Sequence, residues 1–287
     1  MPKLYPNITN QNDILSVIIP ANNEERYIGD CLISLLKQDL SAGILEIIIV
    51  ANGCSDRTVS IAEKFETRIT ARDWHLMILE TPKGSKTNAL NIADEIAQGG
   101  ARVYLDADVT CDASLLGQLR NVIACDNPLY VTGKLQVAEA RSLITRYYAE
   151  LWTRLPFIKD GAAGAGFFAV NNSGRARWGK FPNIISDDTF VRLQFAQNER
   201  IEVEAGYRWP MAEGFKNLAH VRHRQNVGVK ELHRMFPELL KNECKRKLGA
   251  TDIVHLFIAT PLGFITYAFV TITVRFMGGN SEWKRGR

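Results

Sequence analysis

The sequence predicts an α/β fold: a mostly parallel sheet with helices on both faces, followed by a C-terminal apolar helical segment. Three observations predict it. Short apolar runs alternate with segments of helical spacing over the first hundred residues, the rhythm of strands joined by right-handed crossovers. Those runs are apolar at consecutive positions, as in strands covered on both faces. Residues 256–274 form 19 positions without a charge.

The elements follow in order. Residues 15–20 (LSVIIP) read as a buried strand, and 25–37 as a helix with Ile28, Leu32, Leu35 and Leu36 at helical spacing. A second strand lies at 46–50 (EIIIV). The helix 56–65 follows it, capped by Ser55 or Asp56. The third strand is 76–79, the helix 85–97 ends at Gly99-Gly100, and the fourth strand is 102–105 (RVYL). Beyond it the spacing predicts a helix over 112–124, a strand over 130–137 and a helix over 142–152. A small-residue loop at 161–166 (GAAGAG) leads into the apolar 167–170. A helix over 186–195 opens on an Asp pair, and a short strand covers 202–205. From Phe215 the chain is basic, through His220, Arg222, His223 and Arg224 to the lysines of 241–247.

The uncharged run 256–274 would span about 28 Å as one helix, near a hydrocarbon thickness of about 30 Å. Pro261, Gly263 and four threonines weaken it, and both flanks are basic, with Lys241, Lys245, Arg246 and Lys247 before and Arg275, Lys284, Arg285 and Arg287 after. A spanning or in-plane membrane anchor is expected, with a buried core helix as the alternative. The chain thus divides into a catalytic domain over 1–250 and an apolar, membrane-associated segment over 251–287.

Composition excludes several classes. The chain has 287 residues, 46% hydrophobic and 23% charged, which excludes a disordered tail, a collagen-like repeat and a coiled-coil rod. A mean hydropathy of −0.11 with one long apolar stretch excludes a polytopic transporter. The net charge of +4 suits an anionic substrate or membrane face and falls short of a nucleic-acid binder. Cys31, Cys54, Cys111, Cys125 and Cys244 are scattered, with no CxxC, so neither zinc binding nor a disulfide framework is expected. The polar N-terminus predicts no cleavable secretory signal.

Ligands of such sheets bind at the carboxyl ends of the strands. Asp106-Ala107-Asp108 directly follows the fourth strand. Two carboxylates separated by one residue can reach one Mg²⁺ or Mn²⁺ when the backbone turns between them. The alternative is a turn ahead of the next helix. The first two strands end in loops of short polar side chains, PANNEE at 20–25 and VANGCSDRT at 50–58. The third ends in Pro82-Lys83-Gly84-Ser85-Lys86, where a lysine beside a glycine suits an anion at a helix N-terminus. GxxxxGK[ST] and GxGxxG are both missing, against a P-loop or a Rossmann dehydrogenase.

Together PANNEE, VANGCSDRT, KGSKTNALN at 83–91 and YLDADV at 104–109 resemble family 2 glycosyltransferases, in order and spacing, over about residues 15–230. The resemblance implies a GT-A fold and transfer of a single sugar from a nucleotide-diphosphate donor, UDP-sugar favoured, to a hydroxyl acceptor with inversion. It implies a divalent cation on Asp106 and Asp108, with Asp106 also at the diphosphate. Glu24 and Asn52 map to the nucleoside positions, although the family more often has Asp at Asn52. Lys83 is expected near nucleotide or phosphate. The family's acidic pair maps onto Asp187 and Asp188, with Asp188 as the base and Asp187 at the substrate. Gly164 and Gly166 are expected to let the backbone approach the sugar. His220, at the metal, and Arg224, at the diphosphate, belong to a stretch expected to close as a mobile loop. The Gln-x-x-Arg-Trp motif of processive members is absent. A sugar nucleotidyltransferase or a non-catalytic nucleotide-sugar or lipid-binding subunit are the alternatives. The implied setting is the cytoplasmic face of the cell membrane, in envelope glycosylation, with a lipid-linked or other hydroxyl acceptor and no nucleic acid.

Overall fold

The computed structural model describes residues 14–159, 162–243, 246 and 248–277. Its sheet has eight strands: β1 (Ile14–Ala21), β2 (Ile44–Asn52), β3 (His75–Thr81), β4 (Ala101–Leu105), β5 (Thr110–Cys111), β6 (Tyr130–Val137), β7 (Phe167–Asn171) and β8 (Arg200–Trp209). Their order is β3-β2-β1-β4-β7-β6-β8-β5. The first four strands pair in parallel, and β7 runs antiparallel between β4 and β6.

The helices are α1 (Ile28–Leu36), α2 (Thr58–Glu63), α3 (Glu66–Thr70), α4 (Lys86–Ile96), α5 (Leu115–Ile123), α6 (Leu143–Trp152), α7 (Pro156–Lys159), α8 (Asn172–Arg175), α9 (Asp187–Arg192), α10 (Gly214–Met235), α11 (Ala250–Ala259) and α12 (Pro261–Phe276). The doubly apolar strands are buried on both faces. In β1, Leu15, Val17 and Ile19 join one core with Leu32 and Leu35 of α1. Ile18 faces the other core with Ala89 and Leu90 of α4. Alternate side chains of a strand point to opposite faces, so a run apolar at every position needs two covered faces.

From the carboxyl end of β1 the chain turns to β2 on one side, and β4 lies on the other. This reversal opens a crevice above β1, β2 and β4, the place where such sheets bind ligands.

Three sequence expectations change in the second half. The strand expected over 202–205 extends to the ten residues of β8, because β6 pairs with it along its length. The basic stretch is a 22-residue helix, α10, not a loop, with Leu218, Ala219, Gly228 and Leu232 holding it to the body. The run 256–274 is not one helix: α11 and α12 meet at a 118° bend. Proline lacks the N–H a helix interior needs and pushes the preceding residue out of the helical region. Thr260, before Pro261, has φ −143° and ψ 65°. No single helix among the described residues is long and apolar enough to cross a membrane. Nor does the run separate cleanly from the body. Val270 and Val274 of α12 join a core with Tyr148, Leu151 and Trp152 of α6 and Leu218 of α10. The other face of α12 is exposed. The core-helix alternative is thus realised on one face of α12.

Cys31, Cys54, Cys111 and Cys125 are in no disulfide. Cys244, the basic positions Lys245, Lys247, Lys284, Arg285 and Arg287, and the N-terminal 13 residues lie outside the described residues.

Candidate functional site

The crevice is a cleft of about 1180 Å³. Glu24, Asn52, Lys83, Asp106, Asp108, Asp187 and Arg224 all line it. They come from residues up to 200 positions apart, gathered by the ends of β1 to β4 on one side of the sheet and by α9 and α10 beside them.

The loops after the first three strands are stitched together. Asn23 Oδ1 accepts from Ser55 N at 2.7 Å, and Thr58 Oγ1 accepts from Glu24 N at 2.6 Å. Asn23 is therefore a loop-to-loop tie rather than a helix cap. Asn52 is buried, donates from Nδ2 to Ala21 O at 2.8 Å and accepts at Oδ1 from Ser85 N at 3.0 Å. Its amide thus braces the three loops while the residue lines the cleft. Ser85 caps α4, its Oγ accepting from Asn88 N.

Asp106 and Asp108 sit on the turn after β4. Asp106 O accepts from Val109 N at 3.0 Å, and Asp106 N donates to Gly166 O at 2.8 Å. This is the backbone turn that two carboxylates need in order to share one cation. Gly166 has φ +73°, and a Cβ there would stand 3.3 Å from Asp106 Oδ2 and 2.9 Å from Trp209 Cδ1. Its hydrogen atom therefore keeps room beside the carboxylate. Gly164 does something else. Its φ is +61°, and a Cβ would fall 1.7 Å from Tyr130 Oη. Neither glycine is among the residues lining the cleft, so the expected approach to a sugar is replaced by packing behind Asp106 and on Tyr130. Gly164→Ala is expected to cost about 2–5 kcal/mol from left-handed strain and overpacking, lowering Tm by on the order of 10 °C. Thermal unfolding and nucleotide titration of this variant check it. An unchanged Tm with lost nucleotide binding would restore the ligand contact.

The centre of the cleft is a cation between two carboxylates. Lys86 Nζ lies 2.8 Å from Asp106 Oδ1 and 3.1 Å from Asp187 Oδ2. Burial pulls the Lys86 ammonium down, but Asp106 and Asp187 outweigh it and hold the group above the usual lysine range. Burial pushes the Asp187 carboxyl up to about 6, with Lys86 opposing and Asp188 and Asp106 reinforcing the push. A carboxyl with raised pKa, opening onto a cleft, is the kind of group that accepts a proton near neutral pH.

Of the acidic pair, the structure turns Asp187 into the cleft, while Asp188 is not among its lining residues. Asp188 Oδ1 instead accepts from Thr189 N at 2.6 Å, a contact within the first turn of α9. This departs from the expected assignment of the base to Asp188. His220 is exposed and does not line the cleft, whereas Val221, Arg224 and Gln225 do. On α10 residues 221, 224 and 225 share the face that lines the cleft, and His220 stands one turn before Arg224, exposed outside it. Its expected place at a metal is corrected accordingly.

Two cleft residues escaped the sequence reading. Lys86 stood unassigned in the KGSK loop, and only the cap at Ser85 and the start of α4 turn it inward. Trp209 lines the cleft and stacks on Trp152 at 5.6 Å. It ends a strand whose length was legible only from its pairing with β6.

The comparisons bear on the family and the fold. The family model described as Glycosyl transferase family 2 matches residues 16–180, more than half of the chain. The poly(ribitol-phosphate) beta-N-acetylglucosaminyltransferase TarS of Staphylococcus aureus is 33% identical over 93 residues, covering 32% of this chain and 16% of TarS. The chain spans less than a third of the length of the curated relatives it matches. Among solved structures, the mannosyltransferase PcManGT of Pyrobaculum calidifontis, in complex with GDP-Man and Mn²⁺, is similar with a TM-score of 0.58 at 20% identity, covering 95% of this chain and 77% of that one. Staphylococcus aureus TarS in complex with UDP-GlcNAc is similar with a TM-score of 0.54 at 17% identity, covering 91% of each chain. Both likenesses concern the fold.

Proposed function

The chain belongs to glycosyl transferase family 2, and on that premise we propose that it moves a single sugar from a nucleotide-diphosphate donor to an acceptor hydroxyl, inverting the anomeric carbon. The observation that carries the reading is the bridge from Asp106 through Lys86 to Asp187. It puts a cation-binding carboxylate and a base-type carboxyl at the two ends of one ammonium group, inside a cleft at the strand ends.

A divalent cation fits the residues present. The described residues hold no group of three or more His, Cys, Asp or Glu suited to a metal. Asp106 and Asp108 supply two carboxylates, and Gly166 leaves Asp106 Oδ2 uncrowded. Mg²⁺ and Mn²⁺ are commonly held in this way, by one or two carboxylates with substrate phosphates and water completing the shell. When bound, the cation would neutralise charge on the departing diphosphate. The ligands carried by the solved neighbours, GDP-Man with Mn²⁺ in one and UDP-GlcNAc in another, support a nucleotide-sugar donor and a cation.

The protein's own groups do the rest. Asp187 takes the acceptor hydroxyl proton as that oxygen bonds to the anomeric carbon and the bond from that carbon to the phosphate oxygen breaks. Lys86 stays protonated and fixes Asp187 relative to Asp106. Glu24 and Lys83, on loops braced by Asn52, line the nucleotide side, and Arg224 of α10 offers a cation to the diphosphate. Trp209 presents a flat apolar face suited to a sugar ring. The setting is the cytoplasmic face of the cell membrane, with the acceptor on a lipid-linked or envelope glycan.

The test is nucleotide release from UDP-, GDP- and CMP-sugars by purified protein with Mn²⁺, with and without acceptor glycans. One donor class is expected to turn over, and only with the cation. A folded protein that binds nucleotide but turns over none of the panel would defeat the reading.

A further inference from the structure

The surface made by α11 and α12 cannot be explained by the fold alone. No residue of α11 is buried, and Ile253, Val254, Phe257 and Ile258 are 43–70% exposed. A ten-residue helix with no buried face is marginal in water. On α12, Leu262, Ile265, Phe269, Ile272 and Phe276 are each at least 45% exposed. Their spacing of three and four places them on one stripe, opposite Gly263, Val270 and Val274, which pack inward. Nine large apolar side chains are thus exposed on the two helices that flank the bend. Patches of this kind mark interaction sites.

We propose that the α11–α12 hairpin docks in the plane of a bilayer rich in anionic phosphate headgroups. Charge selects this occupant over a second copy of the chain. Across residues 248–277 Asp252 is the one carboxylate, and it pairs with Arg246. Beside α11 lies a notch of about 190 Å³ lined by Arg154, Lys159, Arg246 and His255 together with Leu248 and Leu256. Three permanent cations against one carboxylate, bordering an apolar ridge, match a phosphate headgroup above acyl chains.

Geometry selects docking over crossing. The 16 residues of α12 reach about 24 Å, short of a hydrocarbon core of about 30 Å. One face of α12 is also committed to the protein. Tyr267 stacks on Tyr148 at 5.2 Å and accepts from Arg222 Nη2 at 2.8 Å. The cleft lies one helix away: α10 turns Arg222 toward α12 and Val221, Arg224 and Gln225 into the cleft. A docked hairpin therefore holds the cleft beside the lipid surface, within reach of an acceptor carried there. The docking surface itself does not depend on the transferase reading.

The experiment is flotation of the full-length protein with phosphatidylcholine vesicles, with and without phosphatidylglycerol, at low and high salt. Flotation with the anionic vesicles is expected, weakened by salt. Phe257→Ser with Phe269→Ser, at exposed positions, should reduce binding at least tenfold on both vesicle types. Arg154→Ala with Lys159→Ala should remove the salt-sensitive part, about fivefold per charge. Nucleotide titration and circular dichroism verify that each variant is folded. Free inorganic phosphate should not compete with vesicles; competition would assign the notch to soluble phosphate and overturn the lipid assignment. Failure to float with either vesicle, with light scattering giving a dimer that Phe269→Ser dissociates, would overturn docking in favour of a second copy.

Discussion

Asp187→Asn is expected to lower kcat by about 10²–10⁴-fold, the usual worth of a positioned general base, while nucleotide affinity changes little. The expectation rests on placement. Asp187 is 7% exposed on its side chain, faces the cleft and stands 3.1 Å from Lys86 Nζ. Asn keeps its size and removes its proton affinity. Asp188→Asn should cost less than about tenfold, because its Oδ1 is engaged with the Thr189 N–H and an amide oxygen can accept the same bond. The pH profile supplies a second readout. With the Asp187 carboxyl pushed up to about 6, the base is competent only when deprotonated, so kcat rises with pH through that region and falls on the acid side. Asp187→Asn should abolish that limb. The two variants, assayed in parallel for kcat and for nucleotide binding, decide the matter. A larger loss for Asp188→Asn would return the base to Asp188 and leave Asp187 as the residue that positions Lys86.

Asp108→Asn is expected to remove metal-dependent nucleotide binding, by about 10²-fold or more, the scale of a loss of several kcal/mol. Chelation of divalent cations should produce the same loss in the unaltered protein and none in the variant. Calorimetric titration with UDP, GDP and CMP, with and without Mn²⁺, measures both and identifies the nucleotide. Asp106→Asn should behave differently. It removes a cation ligand and also one of the two carboxylates on Lys86, so Lys86 is left to Asp187 alone. Both binding and kcat should therefore fall, where Asp108→Asn acts first on binding. Nucleotide binding that is indifferent to Mn²⁺ and to both substitutions would remove the cation from the site.

How much of this was legible in the chain can be argued from single residues. The strand ends, expected at Pro20, Val50 and Leu105 and found at Ala21, Asn52 and Leu105, were visible to within two residues because doubly apolar runs stop where polar loops begin, a local property. Asp106 and Asp108 were visible for the same reason. Lys86 and Lys83 stood in one loop with nothing to separate them. The turn of α4 from its Ser85 cap directs Lys86 inward and leaves Lys83 on the rim. His220 and Arg224 belonged to one basic stretch; they stand one turn apart along α10, and only Arg224 reaches the cleft.

By itself the sequence determined the alternation of strands and helices, the family and the four loops at one edge of the sheet. These depend on spacing, backbone chemistry and short motifs, which act over a few residues. Only the tertiary structure decided which carboxylate of the 187–188 pair faces the cleft, that Asn52 braces loops, that Gly164 yields to Tyr130, and that α12 is half core and half exposed. Those outcomes depend on which partners, far away in the chain, pack against each position, and for Asp187 on the rotation of a short helix. A rotation of 100° per residue separates neighbours such as Asp187 and Asp188, and only packing sets where that rotation begins.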